Sequence, residues 1–190
     1  MLRFVIHLLL GAALAGCASN PVGVLQPVNS AAPGASRVDL LVATTRAPSP
    51  DAGVLFSGER GEASLSTFVV SIPPDAQRQI GQVQWPQRMP PDPATDFATL
   101  DVASVSGPAQ AETWLRAHRS RSRRVLVFVH GFNTSFESAL FSFAQIVHDS
   151  KADVTPVLFT WPSRGSVFEY KYGSSRNFVG EFEGGYGRNA

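Results

Sequence analysis

The fold is decided by the stretch VLVFVHGFNT, residues 125–134, in which five consecutive apolar residues run into a turn that contains a glycine. Because these five residues do not alternate between apolar and polar, they predict a parallel strand covered on both faces. Apolar residues then recur at helical spacing from Ser135 to about His148. Thr134 and Glu137 stand at the N-cap and third positions of a capping box, so a helix is predicted to begin there.

A second apolar strand, residues 154–161, follows that helix and ends at Pro162. Strand, helix and strand within about 40 residues form a βαβ unit, whose crossover is expected to be right-handed. Upstream, alternating and helical patterns bounded by prolines predict further elements. These are strands at residues 38–45, 66–72, 81–85 and 97–104, and a helix at residues 109–118 with Trp114 and Leu115 directed inward. The predicted fold class is α/β.

The βαβ unit, with its landmarks FVHGFN and FTWPS, resembles a group of α/β-hydrolase proteins of unknown substrate that are described as esterase- or lipase-like. The upstream pieces LVATTR and VVSIPP fit the N-terminal extension of that group, so the resemblance covers residues 38–177. It implies the N-terminal half of an α/β-hydrolase sheet, mixed and mainly parallel, with helices on its faces. It also implies a serine esterase that acts on a small ester through an acyl-enzyme, without metal or cofactor.

The resemblance assigns a role to the turn that follows residue 129. In α/β-hydrolases a backbone N–H after the third strand donates to the oxyanion of the substrate. By this resemblance Phe132 supplies that N–H, Gly131 allows the tight turn, His130 holds the turn through side-chain hydrogen bonds, and Asn133 belongs to the same site. From the residues alone, an ordinary strand-to-helix turn that happens to contain His-Gly is an equal alternative.

The sequence predicts that the catalytic triad of a serine hydrolase, its nucleophile, acid and histidine, is absent from this chain. In this fold the nucleophile lies on a G-x-S-x-G turn and precedes the acid and the histidine, but no G-x-S-x-G occurs. Ser175 in GSSRN is the nearest candidate, although no helical pattern follows it, and His130 and His148 precede any such nucleophile. Residues 178–190 contain four glycines and no periodicity. We therefore expect a truncated or frameshifted family member that departs from the pattern near Phe178, or a short protein with a flexible tail.

Such a chain would lack the strand that normally pairs with the far edge of residues 125–129. A long apolar edge strand is an aggregation site, so poor expression or aggregation is expected. Two alternatives to an esterase remain open at this point. The chain is a non-catalytic envelope lipoprotein that uses half a hydrolase scaffold, or a gene remnant without a function of its own.

The N-terminus resembles the signal sequence of bacterial lipoproteins. Arg3 is followed by an apolar run, residues 4–15, which is too short to span a bilayer but suits a secretory signal. The run ends in LAGC, which resembles a lipobox and implies acylation of Cys17 after removal of residues 1–16. Because Asp does not follow Cys17, the resemblance implies the outer membrane, on its periplasmic face. The alternative is a buried N-terminal helix with a chance cysteine.

The composition fits a globular domain, with 44% hydrophobic residues among 190, a net charge of +1 and a single cysteine. It excludes an internal disulfide framework and gives no indication of nucleic-acid binding, metal or cofactor. Five arginines form either a solvated loop or a contact for anionic headgroups: Arg116, Arg119, Arg121, Arg123 and Arg124. The predicted organisation is a signal peptide (1–16), a flexible tether (17–36), a partial hydrolase domain (37–177) and an irregular tail (178–190). The expected partner is membrane lipid through acylated Cys17, and the sequence does not indicate an oligomeric state.

Overall fold

The computed structural model describes residues 22–163, which form a five-stranded mixed sheet with one helix on each face. The strands are β1 (Ser36–Pro48), β2 (Phe56–Ile72), β3 (Ala98–Val105), β4 (Val125–Val129) and β5 (Thr155–Thr160), and the helices are α1 (Pro108–Ala117) and α2 (Phe136–Ser150). A 3-10 turn, Asp75–Gln77, follows β2. The predicted α/β class and the βαβ unit β4–α2–β5 are confirmed.

The strand order across the sheet is β3-β2-β1-β5-β4. β1 pairs with β2 in an antiparallel sense and with β5 in a parallel sense, β2 and β3 are antiparallel, and β4 and β5 are parallel. Four strands therefore point the same way and only β2 runs against them. The carboxyl ends of β1, β4 and β5 consequently meet at one side of the sheet, which we call the carboxyl edge.

The larger core lies between the sheet and α2. Aromatic and aliphatic side chains of α2 pack against inward residues of β1 and β2, and the most buried of them include Phe136, Leu140, Phe143, Leu40, Val42, Phe68 and Val70. Each large apolar side chain removed from water in this way contributes about 1.5–3 kcal/mol. On the opposite face, α1 packs Trp114 and Leu115 around Leu41 and Val105, as its helical pattern predicted.

Strand β4 differs from its prediction as a strand covered on both faces. Its side chains alternate, and Val125, Val127 and Val129 are 55%, 57% and 55% exposed. Leu126 and Phe128 pack on the core under α2, whereas α1 packs around Leu41 and Val105 on the opposite face. The prediction that both faces of this strand are buried was therefore wrong within residues 22–163.

Helix α2 begins one residue later than the predicted capping box. Ser135 is the N-cap, and its side chain accepts a hydrogen bond from the Ser138 amide at 3.2 Å. Thr134 cannot take that role because both of its backbone groups are engaged elsewhere, the carbonyl by Arg46 and the amide by Ser163. The assignment of Thr134 and Glu137 as a capping box was wrong.

Two other segments differ from their predictions. Residues 81–85 are not a strand; instead the Gln84 carbonyl accepts a hydrogen bond from the Phe97 amide at 2.9 Å and Trp85 packs on Phe141. The alternation of polar and apolar residues over 81–85 therefore reflects how this loop packs on the domain rather than a strand. Within the predicted tether, Val24 and Leu25 are each only 1% exposed and belong to the core. Residues 23–25 of the predicted tether therefore pack on the domain.

In residues 22–163, neither helix has the length and apolar character needed to cross a bilayer. The predicted signal peptide (1–16), the acylation site Cys17, the candidate Ser175 and the tail (178–190) lie outside the described residues.

Candidate functional site

The HGFNT turn, residues 130–134, leaves β4 at the carboxyl edge and leads directly into α2. Open α/β sheets bind their ligands in the crevice at the carboxyl ends of the strands. His130 is 5% exposed and Phe132 is 46% exposed, so the turn has a buried base and an accessible tip. The candidate residues Gly131 and Asn133 flank Phe132 in this turn.

His130 joins the turn to the end of β5. Its Nδ1 lies 2.7 Å from the Gly131 carbonyl oxygen, which requires a proton on Nδ1. Nε2 then accepts from the Trp161 backbone amide at 3.3 Å and from the Arg46 guanidinium at 3.3 Å. The Trp161 indole N–H donates to the His130 carbonyl at 3.0 Å, and the two rings stack 5.3 Å apart.

The environment of His130 keeps its imidazole neutral. Burial lowers the pKa of His130 below its ordinary value, and the nearby charge of Arg46 lowers that pKa further, although the bond to Gly131 opposes them. Because both ring nitrogens already have partners, this imidazole is not placed to accept a proton from a nucleophile. Its contacts are those of a residue that fixes the backbone.

Arg46, near the end of β1, extends this network across the carboxyl edge. The side chain is 1% exposed. Its Nη1 donates to the Ser163 carbonyl at 2.8 Å and the Ser57 carbonyl at 3.3 Å, and its Nη2 donates to the Thr134 carbonyl at 2.7 Å. Burial lowers the pKa of Arg46 to about 10, with Glu137 opposing the shift, so the guanidinium is still charged at neutral pH.

Ser163 closes the turn from the β5 side. Its hydroxyl donates to the Phe132 carbonyl and accepts from the Thr134 amide at 3.2 Å. A neighbouring hydroxyl pair continues the network, since Thr160 donates to Thr44 at 2.7 Å and the Arg46 amide also donates to Thr44. The Thr134 amide therefore has a protein partner in Ser163.

Arg46 and Ser163 were not predicted as site residues. The signal for Arg46 was available, because it continues the inward positions of β1, where Val38, Leu40, Val42 and Thr44 are buried. A charged residue in phase with buried positions needs buried partners. The partners of Arg46 are distant in sequence, and no local pattern indicates them.

A catalytic triad is not assembled within residues 22–163. The His118 ring stacks on Trp114 and bonds its carbonyl at 2.9 Å, while His148 lies 3.2 Å from Asp75. Each of the three described histidines, His130 included, thus has partners other than a nucleophilic serine. The same part of the chain contains no group of three or more side chains able to hold a metal ion.

The arginine cluster lies at the other end of β4 from the HGFNT turn. All five side chains are exposed. The loop after α1, which carries the other four arginines besides Arg116, is held by Asp153, which accepts from the Arg121 amide at 3.2 Å and the Ser122 amide at 2.7 Å. Arg116 pairs with Glu112 on α1. Contact of this cluster with lipid headgroups stays a prediction.

Comparison with known families agrees with this architecture. A family model described as alpha/beta hydrolase of unknown function (DUF900) matches residues 107–179, a range that holds α1, β4, the HGFNT turn, α2 and β5. No curated protein and no solved structure matches the chain. Over residues 107–179 the chain is similar to an α/β-hydrolase family, which supports the predicted α/β-hydrolase superfamily.

Proposed function

We propose that the protein is a lipid-anchored hydrolase of the α/β class whose HGFNT turn stabilises the oxyanion formed when an ester is cleaved. The observation that carries this proposal is the buried network that fixes the turn at the carboxyl edge. Arg46 and His130 join the turn to β1 and β5. Preorganised amides at such a position are the usual source of oxyanion stabilisation.

The charge of Arg46 adds an electrostatic argument. Its described hydrogen-bond partners are three carbonyl oxygens and a neutral imidazole, and the ion pairs within residues 22–163 involve other cations. The Glu137 carboxylate acts on Arg46 through its charge, but a buried cation still favours negative charge nearby more strongly than the same cation in water. Arg46 would thereby favour an oxyanion at the turn.

The nucleophile of this reaction lies outside residues 22–163. In this fold it follows the oxyanion turn along the chain, and Ser175 is the nearest candidate in the sequence. The nucleophile would attack the carbonyl carbon, and the N–H of Phe132 would stabilise the resulting oxyanion. The bond between the acyl carbon and the ester oxygen would then break, the alcohol would leave with the proton given up by the nucleophile, and water would release the acid from the acyl-enzyme.

Hydrolysis of p-nitrophenyl butyrate by the purified full chain tests this proposal. Phe132→Pro removes the backbone N–H, whereas Phe132→Ala keeps it and removes only the side chain. An oxyanion turn without a triad accelerates hydrolysis by at most about 10³–10⁴ over water, and loss of one donor costs about 10²–10³. We expect Phe132→Pro to lose that activity and Phe132→Ala to retain it. Equal rates for the two variants, or no rate above buffer, would contradict the proposal.

The same assay examines the nucleophile. If Ser175→Ala abolishes turnover while the protein stays folded, Ser175 is the nucleophile. Turnover that persists in this variant places the nucleophile elsewhere or leaves only oxyanion stabilisation.

Lipid anchoring is proposed on the LAGC motif that ends at Cys17. Acyl chains buried in a bilayer hold a protein there when more than one is attached. Growth with labelled palmitate should label the protein, and Cys17→Ser should remove the label and release the protein from the membrane fraction. We propose the periplasmic face of the outer membrane as the location, which separation of the two membranes tests. Label that survives Cys17→Ser would contradict the anchor.

A non-catalytic envelope lipoprotein is the second candidate. It is favoured by the partners of His118, His130 and His148, which leave each described histidine engaged in structural contacts. A folded, membrane-bound chain without esterase activity would support this alternative.

A further inference from the structure

The chain that leads to the proposed anchor is short and ends beside a defined part of the domain. Cys17 precedes Val22 by five residues, which span at most about 17 Å when extended. After Val22 the chain is buried over residues 23–25, of which Val24 and Leu25 belong to the core. The packed segment touches the β1–β2 hairpin, because a Cβ at Gly53 would lie 3.2 Å from the Gly23 Cα.

That hairpin belongs to the carboxyl edge. It leaves β1 after Pro48 and returns at Phe56, which is the register partner of Pro48. The Phe56 ring lies 4.6 Å from the ring of Phe136, the first residue of α2 after the HGFNT turn. The first described residues of the chain, 22–23, therefore lie at the same edge of the sheet as the candidate active site.

Exposed apolar side chains accompany this edge. The tip of the turn, the hairpin and the N-terminal segment each present one, namely Phe132, Leu55 and Val22. Met89 is also exposed, and its side chain adjoins Gly23. Apolar side chains at the face held closest to a bilayer are suited to contact with its interface.

A cavity of about 800 Å³ is formed by the carboxyl-terminal parts of β1, β3 and β5 together with the hairpin. No charged side chain lines it, and its polar side chains are hydroxyls of Ser and Thr. Ser66 lines the cavity with a buried hydroxyl that has no hydrogen-bond partner among the described residues. This size lies within the range of about 300–1,000 Å³ that is typical of ligand sites.

The cavity lies close to the candidate active site. Phe159 lines it and pairs with Val129, which directly precedes His130. Thr44 also lines it and accepts a hydrogen bond from the Arg46 amide. Through Phe159 and Thr44 the lining of the cavity therefore adjoins residues that contact the HGFNT turn or directly precede it.

From these observations we infer that the substrate is an acyl ester of a lipid in the membrane that holds the anchor, with its acyl chain in this cavity. This inference rests on the proposed function. An uncharged lining suits an acyl chain rather than a headgroup, and the ester carbonyl would lie toward the turn. Hydrolysis breaks the bond between the acyl carbon and the ester oxygen and adds water, which gives a carboxylic acid and an alcohol.

Photo-crosslinking tests the inference without requiring turnover. The lipidated full chain is reconstituted in vesicles of phosphatidylethanolamine and phosphatidylglycerol that contain a phosphatidylcholine with a diazirine on its acyl chain. After illumination, the adducts are mapped by mass spectrometry. We expect adducts on Leu55, Phe56 and Phe159. Adducts confined to the chain before Val24, or to the arginine cluster, would overturn the inference.

A matched pair of variants sharpens the result. Ala63 is exposed and lines the cavity, so Ala63→Phe fills space there without disturbing the core, whereas Ala103→Phe places the same side chain at an exposed position outside the cavity. We expect Ala63→Phe to lower the adduct yield on Phe56 and Phe159 about tenfold, equivalent to about 1.4 kcal/mol of binding, and Ala103→Phe to leave it unchanged. Equal yields in both variants would overturn the acyl assignment.

The outcome separates this inference from the proposed function. Hydrolysis of p-nitrophenyl butyrate without cavity adducts would overturn the lipid substrate and leave the esterase intact. Cavity adducts without hydrolysis would contradict the esterase, and with it the assignment of the lipid as a substrate, although the lipid would still bind in the cavity. Absence of palmitate label from Cys17 would remove the anchor on which the geometry depends and would overturn the inference as well.

Discussion

The sharpest structural prediction concerns Arg46, whose guanidinium joins three segments of the carboxyl edge. Arg46→Met keeps an apolar stem of similar length but removes every donor. The Ser57, Ser163 and Thr134 carbonyls and the His130 imidazole would each lose a hydrogen bond. The variant thus tests how strongly the network stabilises the fold.

The expected loss follows from the burial of these groups. A buried polar group left without its partner costs about 1–3 kcal/mol, and the groups that Arg46 leaves behind are neutral carbonyls and an imidazole. Water can replace part of the lost bonding, because the contacts to Ser57 and Thr134 are only partly buried. Removing Arg46 also relieves its own desolvation, which lowers its pKa to about 10. We therefore expect a loss of about 3 kcal/mol in the free energy of unfolding, the upper end of the cost of one unsatisfied buried polar group.

Urea unfolding followed by far-UV circular dichroism measures this loss. The midpoint should fall while the slope of free energy against urea stays unchanged. Arg60→Met is the matched control, because Arg60 is the exposed cross-strand partner of Arg46, and surface substitutions of this kind change stability by about 0.5 kcal/mol or less. If Arg46→Met unfolds within that margin of Arg60→Met, the network does not hold the edge and the reasoning is refuted.

Three further predictions concern acid stability, helix capping and self-association. Burial raises the pKa of Asp149, but hydrogen bonds from Arg78, Gly81 and Gln145 outweigh it and lower that pKa to about 2. The ionised carboxylate should therefore add about 1 kcal/mol to the free energy of unfolding after solvent screening. This contribution is fully present above the ordinary pKa near 4 and is lost as pH falls toward 2, so Asp149→Asn should remove this part of the acid dependence of unfolding. An unchanged pH profile in the variant would contradict the prediction. Ser135→Ala should cost about 1 kcal/mol in urea unfolding through loss of the N-cap bond, and an unchanged midpoint would show that the cap does not stabilise α2. The wild-type chain should self-associate through the apolar strand β4. Val127 is 57% exposed, and Val127→Lys should reduce the associated fraction that size-exclusion chromatography with light scattering detects. A monodisperse wild-type monomer would contradict this prediction.

Local patterns in the sequence predicted much of the fold. The spacing of Phe136, Leu140 and Phe143 placed one face of α2 on the core, and the apolar runs placed β4 and β5 around it. These features depend on periodicity, which is a property of neighbouring residues. The exposed face of β4 was missed because an unbroken apolar run cannot show which of its two faces a helix will cover.

The candidate site was harder to predict, because its parts come from distant segments. The sequence indicated the HGFNT turn but not Arg46 or Ser163, whose mutual bond at 2.8 Å spans most of the domain in sequence. The displaced helix cap has the same origin, since Arg46 and Ser163 engage Thr134 and leave Ser135 to cap α2. Local sequence patterns do not identify the partners in long-range polar contacts of this kind. The sequence shows only that a charged residue, Arg46, stands in phase with the buried positions of β1.

The central claim is that the amides of the HGFNT turn form a site for an oxyanion. Backbone amide resonances of the ¹⁵N-labelled full chain, recorded during titration with methyl butylphosphonate, test it most directly, because this monoanion has the shape of a tetrahedral intermediate. We predict saturable shifts of the Gly131 and Phe132 amides and the smallest shift within the turn for Thr134, whose amide already donates to Ser163 at 3.2 Å. Resonances of the turn that do not move, or shifts confined to residues 116–124, would contradict the claim.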